Sequence, residues 1–194
     1  MKKTITSLLI LTMAVSLAGC GSKPANDPPK PQGTVIESAV DFYTEVWDAF
    51  GEDKQFSAVG GDAENEAEAP AKFALTDENK ETFEYLLHVN DELYDMLDDD
   101  AATLQHMMNT NTFSSAFAKL KDTSKAEKFA EDYKAEIQGQ HWMCGFPDKV
   151  VVISVADYVM MAYGAEECVD DLVEACSEVA PDSTVLVDAP AVLD

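Results

Sequence analysis

The chain has 194 residues, with 13 lysines, no arginine and 37 acidic side chains, for a formal net charge of −24. Nucleic-acid binding, which needs clustered positive charge and usually arginine, is excluded, as is docking on anionic lipid through a basic patch. Yet 46% of the residues are hydrophobic, enough for a core of ordinary size and too many for a disordered acidic tail.

The first segment is organised for export. Lys2 and Lys3 form a positive start, the stretch from Ile5 to Leu17 is apolar or small, and it closes on Leu17-Ala18-Gly19-Cys20. Such a stretch is short for a membrane span. Residues 1–19 resemble the signal peptide of bacterial lipoproteins, with Leu17, Ala18 and Gly19 as the lipobox. The resemblance implies cleavage before Cys20, thioether lipidation and acylation (palmitate) of Cys20, and a place on the outer face of the cell membrane. Two acyl chains make a stable anchor where one would be marginal. Cleavage removes two lysines and no acid, taking the charge from −24 to −26, so the anchor would hold a domain that anionic lipid repels. Residues 20–33 then read as the lipidated cysteine and a tether. Pro24, Pro28, Pro29 and Pro31 favour polyproline II, with a reach of at most roughly 40 Å.

A single domain is expected over residues 34–194. Thr34 and Glu37 have capping-box spacing, and Ile36, Val40, Tyr43, Trp47 and Phe50 recur at helical spacing up to Gly51. Residues 56–60 suit a short strand, and the acidic stretch 62–70 a loop. Thr76 is placed to cap a helix reaching Val89, and Asn90 a short helix ending in Asp98-Asp99-Asp100, where three carboxylates oppose the helix dipole. Residues 102–108 and 112–120 read as strands around the turn Asn109-Thr110-Asn111. A helix from Asp122 to Gly139 follows. Next come the strands 149–155 and 158–163 around Ala156-Asp157, a helix from Glu166 to Val179 and a last strand over 184–187. From residue 112 the order is β-α-β-β-α-β. The expected fold is therefore α+β: a ferredoxin-like antiparallel sheet with two helices on one face, extended by the 102–108 strand, with the N-terminal helices packed alongside.

The segments MMNTNTF, AKLKD and WMCGFPDKVVVISVADYV, with a helix between and another after, cover roughly residues 100–180. This region is similar to a family of small lipoproteins of Gram-positive gut bacteria that carry a domain of unknown function, some of which are labelled bile acid transporters. The resemblance implies the same lipid-anchored, helix-plus-sheet architecture and transfers no catalytic residue. No run of 18 or more apolar residues follows the first segment, so a helical transmembrane path is not expected from this chain.

Residues that could carry chemistry are few. Cys144, Cys168 and Cys176 are odd in number. Cys168 and Cys176 lie eight apart on one predicted helix and cannot bridge there; Cys144 could pair with either. Cys144 lacks the second cysteine of a redox motif, and Trp142, Met143 and Phe146 read as packing for the loop before a strand. His88, His106 and His141 are scattered, and His141 with Cys144 would supply only half of a zinc site, so no metal and no cofactor is expected. Asp62, Glu64, Glu66 and Glu68, and the run Asp98–Asp100, lack EF-hand spacing and read as solvated acidic surface with at most weak divalent-cation association. No GxSxG, P-loop or GxGxxG is present. The expectation is a non-catalytic module that binds a small molecule or an envelope partner, with Trp47, Trp142 and Phe146 meeting at the ligand between the N-terminal helices and the sheet. The alternatives are an envelope hydrolase working through carboxylates and a structural accessory subunit of an envelope complex.

Overall fold

Two neighbouring strands, Lys149–Val155 and Tyr158–Gly164, are apolar almost throughout, and every residue of the second is buried. Successive strand residues face opposite sides, so such strands need cover on both faces of their sheet. A computed structural model, describing residues 33–108, 112–143 and 145–193, has that cover. Its elements are α1 (Ala39–Ala49), β1 (Ala58–Val59), β2 (Ala71–Lys72), α2 (Lys80–Leu87), α3 (Asp91–Asp95), β3 (Leu97–His106), β4 (Phe113–Leu120), a 3-10 turn (Thr123–Lys125), α4 (Ala126–Gly139), β5 (Lys149–Val155), β6 (Tyr158–Gly164), α5 (Glu166–Val179) and β7 (Thr184–Pro190). The expected signal peptide, lipobox and Cys20, the tether up to residue 32, the Asn109–Asn111 turn and Cys144 lie outside the described residues.

The fold is α+β, with a seven-stranded sheet ordered β1-β3-β4-β6-β5-β7, β2 pairing beside β1 on the same edge of β3. Every pair is antiparallel. This order departs from the ferredoxin-like expectation in two ways. A ferredoxin-like sheet would place β7 beside β4, but β3 occupies that edge and β7 pairs with β5. The two helices of the expected repeat also lie on opposite faces. On the first face α1 and α5 cover Phe113, Phe117, Val151, Ile153 and Met160. On the second, α2, α3 and α4 cover Ala116, Ala118, Val150, Val152 and Met161. The molecule is a three-layer sandwich, and the N-terminal helices divide between the outer layers instead of lying alongside.

Helix starts also differ from the capping pattern. Ser38, not Thr34, caps α1, its hydroxyl taking the Asp41 N–H at 3.1 Å. Thr34 instead donates its N–H to Asp182 at 2.9 Å. Asp98–Asp100 lie inside β3, beside an irregularity between Leu97 and Ala101. There Asp100 accepts the Ala39 N–H at 3.1 Å and the Tyr158 hydroxyl at 2.6 Å, so a strand carboxylate faces the positive end of α1. The start of α2 is later than expected, at Lys80, because Asp62 gathers the preceding segment. Its carboxylate, 6% exposed, accepts the N–H groups of Ala74, Glu64 and Asn65 and the side-chain amides of Asn65 and Asn79. Burial pushes its pKa up, but these hydrogen bonds outweigh burial and leave it lowered.

Candidate functional site

Antiparallel pairing brings the end of β3, the start of β4 and the end of β6 together: Gln105 faces Ser114, Ser114 faces Tyr163, and Phe113 faces Gly164. The approach at this corner is close. A Cβ on Gly164 would sit 2.3 Å from the Thr112 carbonyl oxygen, so only glycine fits. Over the corner lie the C-terminal end of α2 and the loop after α4. Between them is a partly open cleft of about 360 Å³. The sheet contributes His106, Thr112, Phe113, Ser114 and Tyr163, α2 and its cap Tyr85, Leu86 and His88, and the loops Met108, Trp142 and Gly145.

Three rings form one wall. Trp142 meets His88 edge-on at 5.0 Å, and Tyr163 lies 5.3 Å from His88 and 5.4 Å from Trp142. Rings this close pack on one another and present a surface instead of caging a guest. The Tyr163 hydroxyl donates to the Leu86 carbonyl at 3.0 Å, tying β6 to α2. His88 caps α2 in the left-handed conformation, with φ of 52°, which is costly for a residue with a Cβ. The indole N–H of Trp142 is buried without a partner among the described residues, and ring packing holds this tryptophan. His106 stacks on Phe56 at 4.5 Å, and its Nδ1 accepts the Met108 N–H at 3.0 Å, which puts the proton of the neutral ring on Nε2. Burial lowers the pKa of both His88 and His106, so both imidazoles are neutral at pH 7. None of the described lining residues is Asp, Glu or Lys, although acids number 37 in the chain.

Two lining side chains are largely exposed, and three exposed apolar residues neighbour the lining in sequence. Tyr85 is 77% exposed and Met108 58%, and beside lining residues in sequence stand Met107, Met143 at 85% and Phe146 at 64%. Exposed apolar surface gathered around a concavity marks an interaction site more than chance exposure does. Met143 and Phe146 therefore do not pack the loop, as the sequence led us to expect.

A second cleft, of about 410 Å³, lies at the other end of β4 and is charged: Glu92, Asp95 and Asp122 face Lys121, Lys125 and Lys128. Several of these groups are engaged. Asp122 caps the 3-10 turn through the Ser124 N–H at 3.0 Å, Lys121 donates to the Asp95 carbonyl at 3.0 Å, and Lys128 pairs with Asp132.

Of the three aromatic residues expected to meet, Trp47 and Trp142 belong to the cores on opposite faces of the sheet. Trp47, 6% exposed, is buried under α1 against Phe50 and Phe56 on the first face. Trp142 packs against the second-face core and lines the cleft, and Phe146 is exposed. The residues missed at sequence level are Tyr85, His88, His106, Met108 and Tyr163. Their signal was weak: a His-Met-Met run beside a turn, and aromatic residues outside any helical stripe. Cys168 and Cys176 are free thiols, and burial pushes Cys176 up to about 12, an inert core residue. Among the described residues no group of three His, Cys, Asp or Glu is placed to hold a metal ion, and no helix is long and apolar enough to cross a membrane. No protein-family model matches the chain, and no curated protein or solved structure matches it either.

Proposed function

We propose that this chain is a lipid-anchored lipoprotein of the outer face of the cell membrane, held by Cys20, that works by binding a small apolar molecule at the β3–β4–β6 corner. The observation that carries the binding part is a cleft with no charged residue among its described lining, in which the large side chains of Tyr85 and Met108 are mostly exposed. A volume of about 360 Å³ is at the small end of the range for ligand pockets. Methionine at a binding surface adapts its shape to the guest. The anchoring part rests on the Leu17–Cys20 pattern and on the resemblance to gut-bacterial lipoproteins.

At the charged cleft a carboxylate hydrolase would draw on Glu92, Asp95 and Asp122. There Asp122 is committed to its cap, and hydrogen bonds from Ser124 hold its pKa below the usual carboxylate range, unlike a general acid. The binding reading is favoured over it.

Mass spectrometry of the natively isolated protein tests both parts. The N-terminal fragment is expected to carry acyl chains on Cys20, and the intact protein to carry a small molecule that Trp142→Ala loses. An unmodified Cys20 defeats the anchor. A preparation that co-purifies only with another protein, through the same rim, replaces the small molecule with a macromolecular partner.

A further inference from the structure

Resting on the binding reading above, we infer that the cleft takes an uncharged molecule built on one or two fused rings and rejects ionised relatives of that same molecule. Three observations lead there. First, the wall of Trp142, His88 and Tyr163 is made of rings with centroids 5.0–5.4 Å apart, tilted 47–82° to one another, so a ring guest can meet ring faces and ring edges there. Second, the volume of about 360 Å³, at the small end of the range for ligand pockets, admits a small fused-ring system. Third, none of the described lining residues is Lys, Asp or Glu.

An anion entering this cleft would leave water, find no lysine among the described lining residues and sit in the field of a chain with net charge −24. A free carboxylate, such as a bile acid carries, meets the same obstacle. A cation would gain from the long-range field but find no described carboxylate at the cleft to pair with it. Burial lowers the pKa of His88, so positive charge is disfavoured there. What remains for polar recognition is neutral: the two imidazoles and the hydroxyls of Thr112, Ser114 and Tyr163.

The sequence holds two tryptophans, so the spectrum of the 15N-labelled full-length chain has two indole N–H signals, assigned with Trp142→Phe. The probes are three compounds on one ring system: 1-naphthaleneacetamide, 1-naphthaleneacetate and 1-naphthylmethylammonium at pH 7.5. The amide is expected to move the Trp142 signal, leave the Trp47 signal in place and bind at least about tenfold more tightly than either ion, a difference of about 1.4 kcal/mol. If an ion binds as tightly as the amide, the uncharged class is wrong while the binding reading stands. If all three leave the Trp142 signal unmoved at millimolar concentration, the cleft does not bind ring compounds and both readings fall.

Discussion

The two faces of the sheet are built from similar residues and finished differently. Each buries a large tyrosine completely, Tyr43 under α1 on the first face and Tyr133 of α4 on the second. On the first face the polar atoms are matched. Ser115 gives its hydroxyl proton to the Leu104 carbonyl at 2.8 Å, so Tyr43, bonded to the Ser115 oxygen, is the donor of that pair. Burial raises the pKa of Tyr43 and keeps its phenol protonated. Phe42, Phe117 and Tyr158 form one stack, with centroids at 4.5 and 4.9 Å. On the second face neither the Tyr133 hydroxyl nor the Trp142 indole N–H has a partner among the described residues. The difference is one of polar matching: among the described residues the unmatched buried groups lie on the second face, one of them in the wall of the cleft.

The largest expected effect is on the first face. Phe117→Ala removes the middle ring of the stack, and a fully buried Phe truncated to Ala costs about 3–5 kcal/mol. Urea denaturation should show it as a lower midpoint with unchanged slope. Next comes Asp62, which organises the approach to α2 on the second face. Asp62→Asn replaces an acceptor of five hydrogen bonds with an amide half made of donors, at an expected cost of about 2–4 kcal/mol. Its pH dependence follows from the lowered pKa. The ionised carboxylate stabilises the fold above the unfolded-state pKa, and that contribution is lost as pH falls through the folded-state value. On acidification, amide exchange in α2 should therefore quicken before exchange in α1. If α1 opens first, Asp62 does not act through the second face. Trp142→Ala should cost only about 1–2 kcal/mol, since the residue is half-buried in a loop, yet abolish the ligand response.

These contrasts were only partly legible in the sequence. The helical stripe of Tyr43, Val46 and Trp47 gave α1 and its buried side directly. Strands β4 to β7 and helices α4 and α5 fell near their expected positions because turn residues and apolar periodicity agreed. The layer arrangement did not follow from element order, since β-α-β-β-α-β is compatible with β7 on either edge. The informative signal was the lack of alternation in KVVVISV and YVMMAYG, which a sheet with one bare face would not have. The cleft was hidden for a different reason. It is assembled from the ends of β3, β4, β6 and α2, whose nearness depends on register, and register is not written in any one segment. Trp47 and Trp142 resemble each other as residues; only their setting, a periodic helix against a glycine-bearing loop, separates core from rim.

The two tyrosines turn the comparison into a difference of sign. Tyr43→Phe deletes a donor and leaves the Ser115 oxygen short of one hydrogen bond in a dry core, so it should destabilise by about 1 kcal/mol. Tyr133→Phe deletes a hydroxyl that has no partner among the described residues, and removing an unpaired buried polar group while keeping the ring should stabilise by up to about 1 kcal/mol. Burial, then the neighbouring Tyr163 phenol, raises the pKa of Tyr133, so the group removed is a neutral hydroxyl and the gain should be flat from pH 5 to 9. Thermal unfolding of the two variants in one buffer is the measurement. Equal losses in both would mean that Tyr133 is bonded after all, by a buried water or by a guest reaching in from the cleft. Repeating the melt with ligand bound separates these. A guest that uses the Tyr133 hydroxyl loses affinity for the Phe variant, and a structural water leaves affinity unchanged.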